Sequence, residues 1–191
     1  MKKILMSVIA SASILMAGGN ISTVAPVSEA PSYTGLYVGA GLGSTWTYTK
    51  GDFDFSDDTT KSVVDPAIGL RVGYNFWQYG SFVLGTEGRL TASFDADDTD
   101  VTSYEVFVKP EYFVTPEFSV YGLAGYGWTR WNEGSAVYKS NGFAGGLGVG
   151  YKLTKDVSVS ADWVTSVWNK DLMGEKDLNN DKVMVWLNYK F

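Results

Sequence analysis

Six charged residues in the middle of the chain follow one rule. Arg71, Glu87, Arg89, Glu105, Lys109 and Glu111 each occupy the polar face of an alternating segment, and their signs alternate along the sequence. Such a set can form ion pairs, but it lacks the groups for most hydrolytic chemistry. The 191 residues contain no His and no Cys, which excludes imidazole bases, thiol nucleophiles, disulfides and the common zinc sites. Ser158, Ser160 and Asp162 share a face of one later segment. A Ser–Lys or carboxylate-pair mechanism is conceivable there, although simple lining explains these residues as well. The Gly-x-Gly runs lie inside alternating segments with no helix behind them, so they form no dinucleotide site. Acids cluster at Asp52–Asp58 and at Asp95–Asp100, while Asp177-x-Asn179-x-Asp181 opens like a calcium loop but lacks its Gly and bidentate Glu. These stretches read as solvated acidic loops. No metal, cofactor or catalytic residue is expected. The formal net charge of −6 argues against nucleic acid as a partner.

The elements that position these residues have a period of two. From Thr34 onward, apolar and polar residues alternate in eight segments, with no helical periodicity. In the first, Leu36, Val38, Ala40 and Leu42 alternate with Tyr37, Gly39, Gly41 and Gly43. In the second, Ile68, Leu70, Val72 and Tyr74 alternate with Gly69, Arg71 and Gly73. The pattern persists to the last, where Val183, Val185, Leu187, Tyr189 and Phe191 oppose Lys182, Asn188 and Lys190. Only the fifth is ambiguous, because Tyr121 and Leu123 blur its sidedness. Residues 1–30 read as a signal peptide with an N-terminal linker: Lys2 and Lys3 precede a 14-residue apolar core, too short to span a membrane. The mature domain is expected to be 31–191.

A soluble sandwich would bury the apolar faces and wet the others. Three features favour a barrel in a membrane. Connections alternate between short turns, at Gln78–Gly80, Thr115–Glu117 and Thr154–Asp156, and longer polar loops, at Lys50–Ser62, Asp95–Val101, Asn132–Tyr138 and Lys170–Asp181. Aromatics are abundant (7 Trp, 12 Tyr, 10 Phe) and gather near segment ends, as in interfacial girdles. The last segment ends on Phe191 with Tyr189 two residues before it, a pattern like the recognition signal read by barrel-insertion machinery.

Together with Thr34–Gly43, Arg71-Val72-Gly73-Tyr74, Tyr121–Gly127 and the terminal strand, these features give the chain its resemblance. It resembles the small eight-stranded outer-membrane β-barrels of Gram-negative bacteria, of the OmpA/OmpX and opacity-protein type. The resemblance implies an all-β fold, an eight-stranded antiparallel up-and-down transmembrane β-barrel in the cell outer membrane. It also implies contact with outer-membrane lipid and lipopolysaccharide, insertion through Tyr189 and Phe191, and a monomer. No peptidoglycan-binding domain is expected after the barrel.

Eight strands leave an interior just wide enough to be filled by side chains. Centring the first turn on Tyr79 predicts Arg71 opposite Glu87 and Gly69 opposite Arg89, with Arg89 facing Glu105 across the next loop. The six charges would then form one alternating-sign chain, Arg71–Glu87–Arg89–Glu105–Lys109–Glu111, with inward glycines giving the long side chains room. Such a network either plugs the barrel or gates a narrow pore for ions or small solutes. With a plug, the function lies in displaying acidic polar loops to a host or envelope partner, and Phe53 and Phe55 are candidate contacts. Divalent cations bridging loop carboxylates to lipopolysaccharide phosphates are a further option.

Overall fold

A computed structural model of the chain describes residues 32–49, 63–94, 99–133, 136–168 and 178–191. The regular structure in these residues is all strand: β1 (Gly35–Thr49), β2 (Val63–Tyr79), β3 (Phe82–Phe94), β4 (Thr99–Phe113), β5 (Phe118–Glu133), β6 (Ala136–Lys152), β7 (Val157–Trp168) and β8 (Leu178–Lys190). Each strand pairs antiparallel with the next. β8 closes back on β1, from Tyr37↔Lys190 to Thr49↔Leu178. The result is a closed eight-stranded up-and-down barrel with no free sheet edge.

The period of two explains which face goes where. β3 alternates exposed or half-buried with buried residues along its whole length. On the outside, Leu70, Val106, Leu147 and Leu187 are at least half exposed. Inside, the buried residues include Arg71, Glu87, Arg89, Glu105 and Lys109. A monomer in water rarely shows an apolar surface that runs around its full circumference, whereas a bilayer covers it. Tyr121 and Leu123 are both 4% exposed, so the ambiguous fifth segment faces them inward.

The connections depart from the sequence reading in length. The first turn is the two-residue Gly80-Ser81, with Gly80 at φ +56°, a conformation that suits glycine. The other two turns take four residues each, Val114–Glu117 and Leu153–Asp156. At the opposite end the strands run into the segments expected to be loops. β5 and β6 stay paired out to Glu133↔Ala136, and β8 begins at Leu178. The strands are 12 to 17 residues long, beyond the roughly 9–11 that cross a bilayer, so they extend past it.

Two irregularities matter for the interior. Phe76 bulges out of β2 between Asn75 and Trp77. A two-residue turn alone pairs Tyr79 with Phe82 and would set Arg71 against Leu90, which faces outward. The bulge slips the register by one residue, and Arg71 lies opposite Arg89, with Gly73 opposite Glu87. The predicted Arg71–Glu87 register is therefore corrected, although both residues keep the inward face. In β4, Pro110 has no N–H to give, and the β4–β5 ladder is interrupted between Val108↔Ala124 and Glu111↔Tyr121.

A charge mesh across the barrel lumen

Placing Arg71 directly against Arg89 sets like charges face to face, which is unfavourable unless anions stand between them. Two carboxylates do so. Glu87 accepts from Arg89 Nε at 2.5 Å and lies 3.5 Å from Arg71 Nη1. Asp162 reaches in from β7 on the far wall. Its two oxygens accept from Arg89 Nη1 and Nη2 at 2.9 and 2.8 Å, a bidentate pair across the lumen. Asp162 also lies 3.5 Å from Arg71 Nη1.

Uncharged donors and acceptors complete the mesh. Tyr37 donates its hydroxyl to Glu87 and Tyr121 donates to Asp162, at 2.5 and 2.9 Å. Arg71 gives Nε to Asn188 Oδ1 at 2.8 Å and Nη2 to Ser160 Oγ at 2.5 Å. The two guanidinium groups lie over the Trp186 ring, with centroid distances of 4.7 and 5.1 Å. Burying a charge costs several kcal/mol unless it is paired and hydrogen-bonded. Every guanidinium and carboxylate of this mesh has partners on at least two strands.

The remaining charges stand in two smaller groups. Lys109 pairs with Glu111 at 3.1 Å on its own strand, lies over the Tyr37 and Tyr121 rings, and Glu111 also accepts from Ser119. Towards the loop end, Lys182 Nζ donates to Glu105 at 2.5 Å, and Ser166 adds a 3.3 Å bond to the same oxygen. On the inward face, the buried cations Arg71, Arg89, Lys109 and Lys182 thus match the carboxylates Glu87, Glu105, Glu111 and Asp162.

Compared with the sequence reading, the structure joins Arg71, Glu87 and Arg89 and detaches Glu105 from them. Arg89 is the register partner of Glu105, yet Glu105 takes its proton donor from Lys182. Asp162 and Lys182 were missed as members, although the alternation already placed both on the polar face. Ser160 and Asp162, noted as a conceivable catalytic group, have their side chains engaged by Arg71, Arg89 and Tyr121. Tyr189 and Phe191 face outward in an edge-on pair with centroids 5.1 Å apart, and Phe191 N–H bonds to Leu36 O at 2.9 Å. Phe53 and Phe55, and most of the acidic loop residues, lie outside the described residues.

The inward glycines make room for rings as well as for the charged side chains, as Gly39 does for Arg71. A Cβ on Gly41 would strike the Trp186 indole, and one on Gly73 would strike the Tyr37 ring. These glycines make room for rings on which the cations then rest. At the turn end, Tyr33, just before β1, enters the barrel and stacks on Phe113 with centroids 3.6 Å apart. Gln78 accepts its N–H and Asn75 donates to its carbonyl. Lys152 Nζ lies 3.8 Å from the Tyr33 ring centre. Burial, together with Glu117 and Glu111, raises the Tyr33 hydroxyl pKa above its ordinary value. Between this stack and the mesh lies a cavity of about 70 Å³, lined by both.

Residues 12–191 match the family described as outer membrane protein beta-barrel domain. Neisserial surface protein A is a structural neighbour, 19% identical, with a TM-score of 0.57 over 83% of this chain and 98% of that one. Ail, the attachment invasion locus protein of Yersinia pestis, is 18% identical, with a TM-score of 0.52 over 82% and 99% of the two chains. These likenesses show a shared fold. No curated protein matches the sequence.

Proposed function

Since the chain belongs to the outer membrane protein beta-barrel domain family and resides in the outer membrane, in contact with its lipid, we propose that it is a closed structural barrel that presents its loops outside the cell. The observation that carries this reading is the bidentate Arg89–Asp162 contact, which ties opposite walls together across the lumen. Around it, rings and hydrogen-bonded side chains fill the section, and the cavity beneath it is sized for a few waters. The role is non-catalytic, supported by the engagement of Ser160 and Asp162 in the mesh. The barrel works as a monomer with its short turns in the periplasm, and the insertion machinery reads Tyr189 and Phe191. The loops meet a host surface or a neighbouring envelope component, with Phe53 and Phe55 among the contacts.

Planar-bilayer recording of the refolded protein tests the closed lumen, and silence at moderate voltage is the expected result. A second reading, a small gated pore, is favoured by the Arg71 contacts to Glu87 and Asp162, which at 3.5 Å are the longest ion pairs of the mesh. Steady conductance altered by Arg71→Ala would establish it in place of the plug. For the display role, Phe53→Ala/Phe55→Ala should reduce binding to whole-cell or envelope targets. Unchanged binding removes these two residues from the contact.

A further inference from the structure

The outer wall is not uniformly convex. A groove of about 650 Å³ crosses it from β3 to β8. Its turn-side edge is a row of cross-strand neighbours, Phe82↔Tyr112↔Val120↔Val149↔Ala161. The next outward row is Gly122↔Leu147↔Trp163↔Val183, with Pro110 beside Gly122. Pro110, Gly122 and Ala161 keep the floor low, while Phe82, Tyr112, Leu147 and Trp163 stand up around it.

Register fixes the direction of this groove. It starts at Phe82, the first residue of β3, and reaches Val183, seven residues from the turn-side end of β8. Five strand spacings of about 4.8 Å make it about 24 Å long. With strands tilted by about 40°, a path perpendicular to them climbs about 15 Å along the membrane normal. That is the depth of one leaflet of a hydrocarbon core about 30 Å thick. Tyr112 stands at the turn-side start, where a phenol suits the interface. Short turns face the periplasm in barrels of this kind, so the leaflet is the inner one.

We propose that the groove is a binding site for one acyl chain of an inner-leaflet phospholipid, with its headgroup at the Phe82–Tyr112 rim. The chain lies against the floor at Gly122 and ends near Trp163 and Val183. The inference follows from the membrane assignment and the register, and it stands whether or not the lumen conducts.

Gly122→Leu fills the floor without straining the wall, because a Cβ there meets only Pro110 Cγ, at 3.7 Å. Gly88→Leu is the matched control: it is another outward glycine, outside the groove, whose Cβ meets nothing closer than 3.9 Å. Each protein is refolded into vesicles of palmitoyl-oleoyl phosphatidylethanolamine doped with lipopolysaccharide, checked for heat-modifiable mobility, and released gently for native mass spectrometry. Wild type and Gly88→Leu should each carry one phospholipid, and Gly122→Leu should lose at least fivefold in occupancy. Overturning results are a bare wild-type barrel, lipopolysaccharide or a second copy of the chain as the adduct, or equal occupancy in the two variants.

Discussion

The lumen holds two kinds of ion pair. In the mesh, Arg71, Glu87, Arg89 and Asp162 come from β2, β3 and β7, and each carboxylate serves both guanidinium groups. Nearer the loop end, Glu105 and Lys182 form a single bridge, supported by Ser166. Burial does not distinguish them: Glu87 is fully buried and Glu105 nearly so. What differs is connectivity. The bridge joins two residues that can be exchanged together, while removing any member of the mesh takes one partner from two or more groups at once. A change in the mesh therefore reaches several strands, whereas one in the bridge stays local.

The sharpest way to break this contrast is to remove a shared anion. Glu87→Ala leaves two guanidinium groups opposite each other and strips the Tyr37 hydroxyl of its acceptor, so a loss of about 4 kcal/mol or more is expected in urea unfolding from liposomes. Lys182→Met leaves Glu105 buried with only the Ser166 hydroxyl and should cost about 3 kcal/mol in the same assay. Tyr33→Ala removes a stacked ring at the turn end while leaving every lumen ion pair intact, with an expected loss of about 1–2 kcal/mol. The smallest effect should come from Glu105→Met/Lys182→Met, within about 1 kcal/mol of wild type, because paired apolar replacements spare both desolvation costs. If the double variant is as damaging as Lys182→Met alone, the bridge is not separable and the contrast fails.

Much of this architecture is legible in the sequence because the side-chain period of a strand is local. Leu36 to Leu42 and Val183 to Phe191 announce their lipid face without reference to any other strand, and Arg71, Glu87, Arg89 and Lys109 announce the other. The far-wall partners Asp162 and Lys182 were not legible, since they depend on quantities that no single segment carries. Asp162 meets Arg89 across 73 residues, through the stagger with which the barrel closes. The Arg71–Arg89 register depends on a one-residue bulge at Phe76, which in sequence is only one more aromatic. The fit of Gly41 to Trp186 and of Gly73 to Tyr37 likewise needs the neighbouring strand's register. Alternation fixes a face, and closure chooses the partner on it.

Side-by-side bilayer recording of wild type and Glu87→Ala directly tests the proposed closure of the lumen by the mesh. Wild type should be silent, and Glu87→Ala, if it stays folded by heat-modifiable mobility, should show flickering conductance as the guanidinium groups separate. Arg71→Ala, which removes one of the two facing cations and leaves Glu87 and Asp162 both paired with Arg89, should stay closed and guards the test against a Glu87→Ala barrel that fails to fold. Steady ohmic conductance through the wild-type barrel, diminished or abolished by Arg71→Ala, would contradict it.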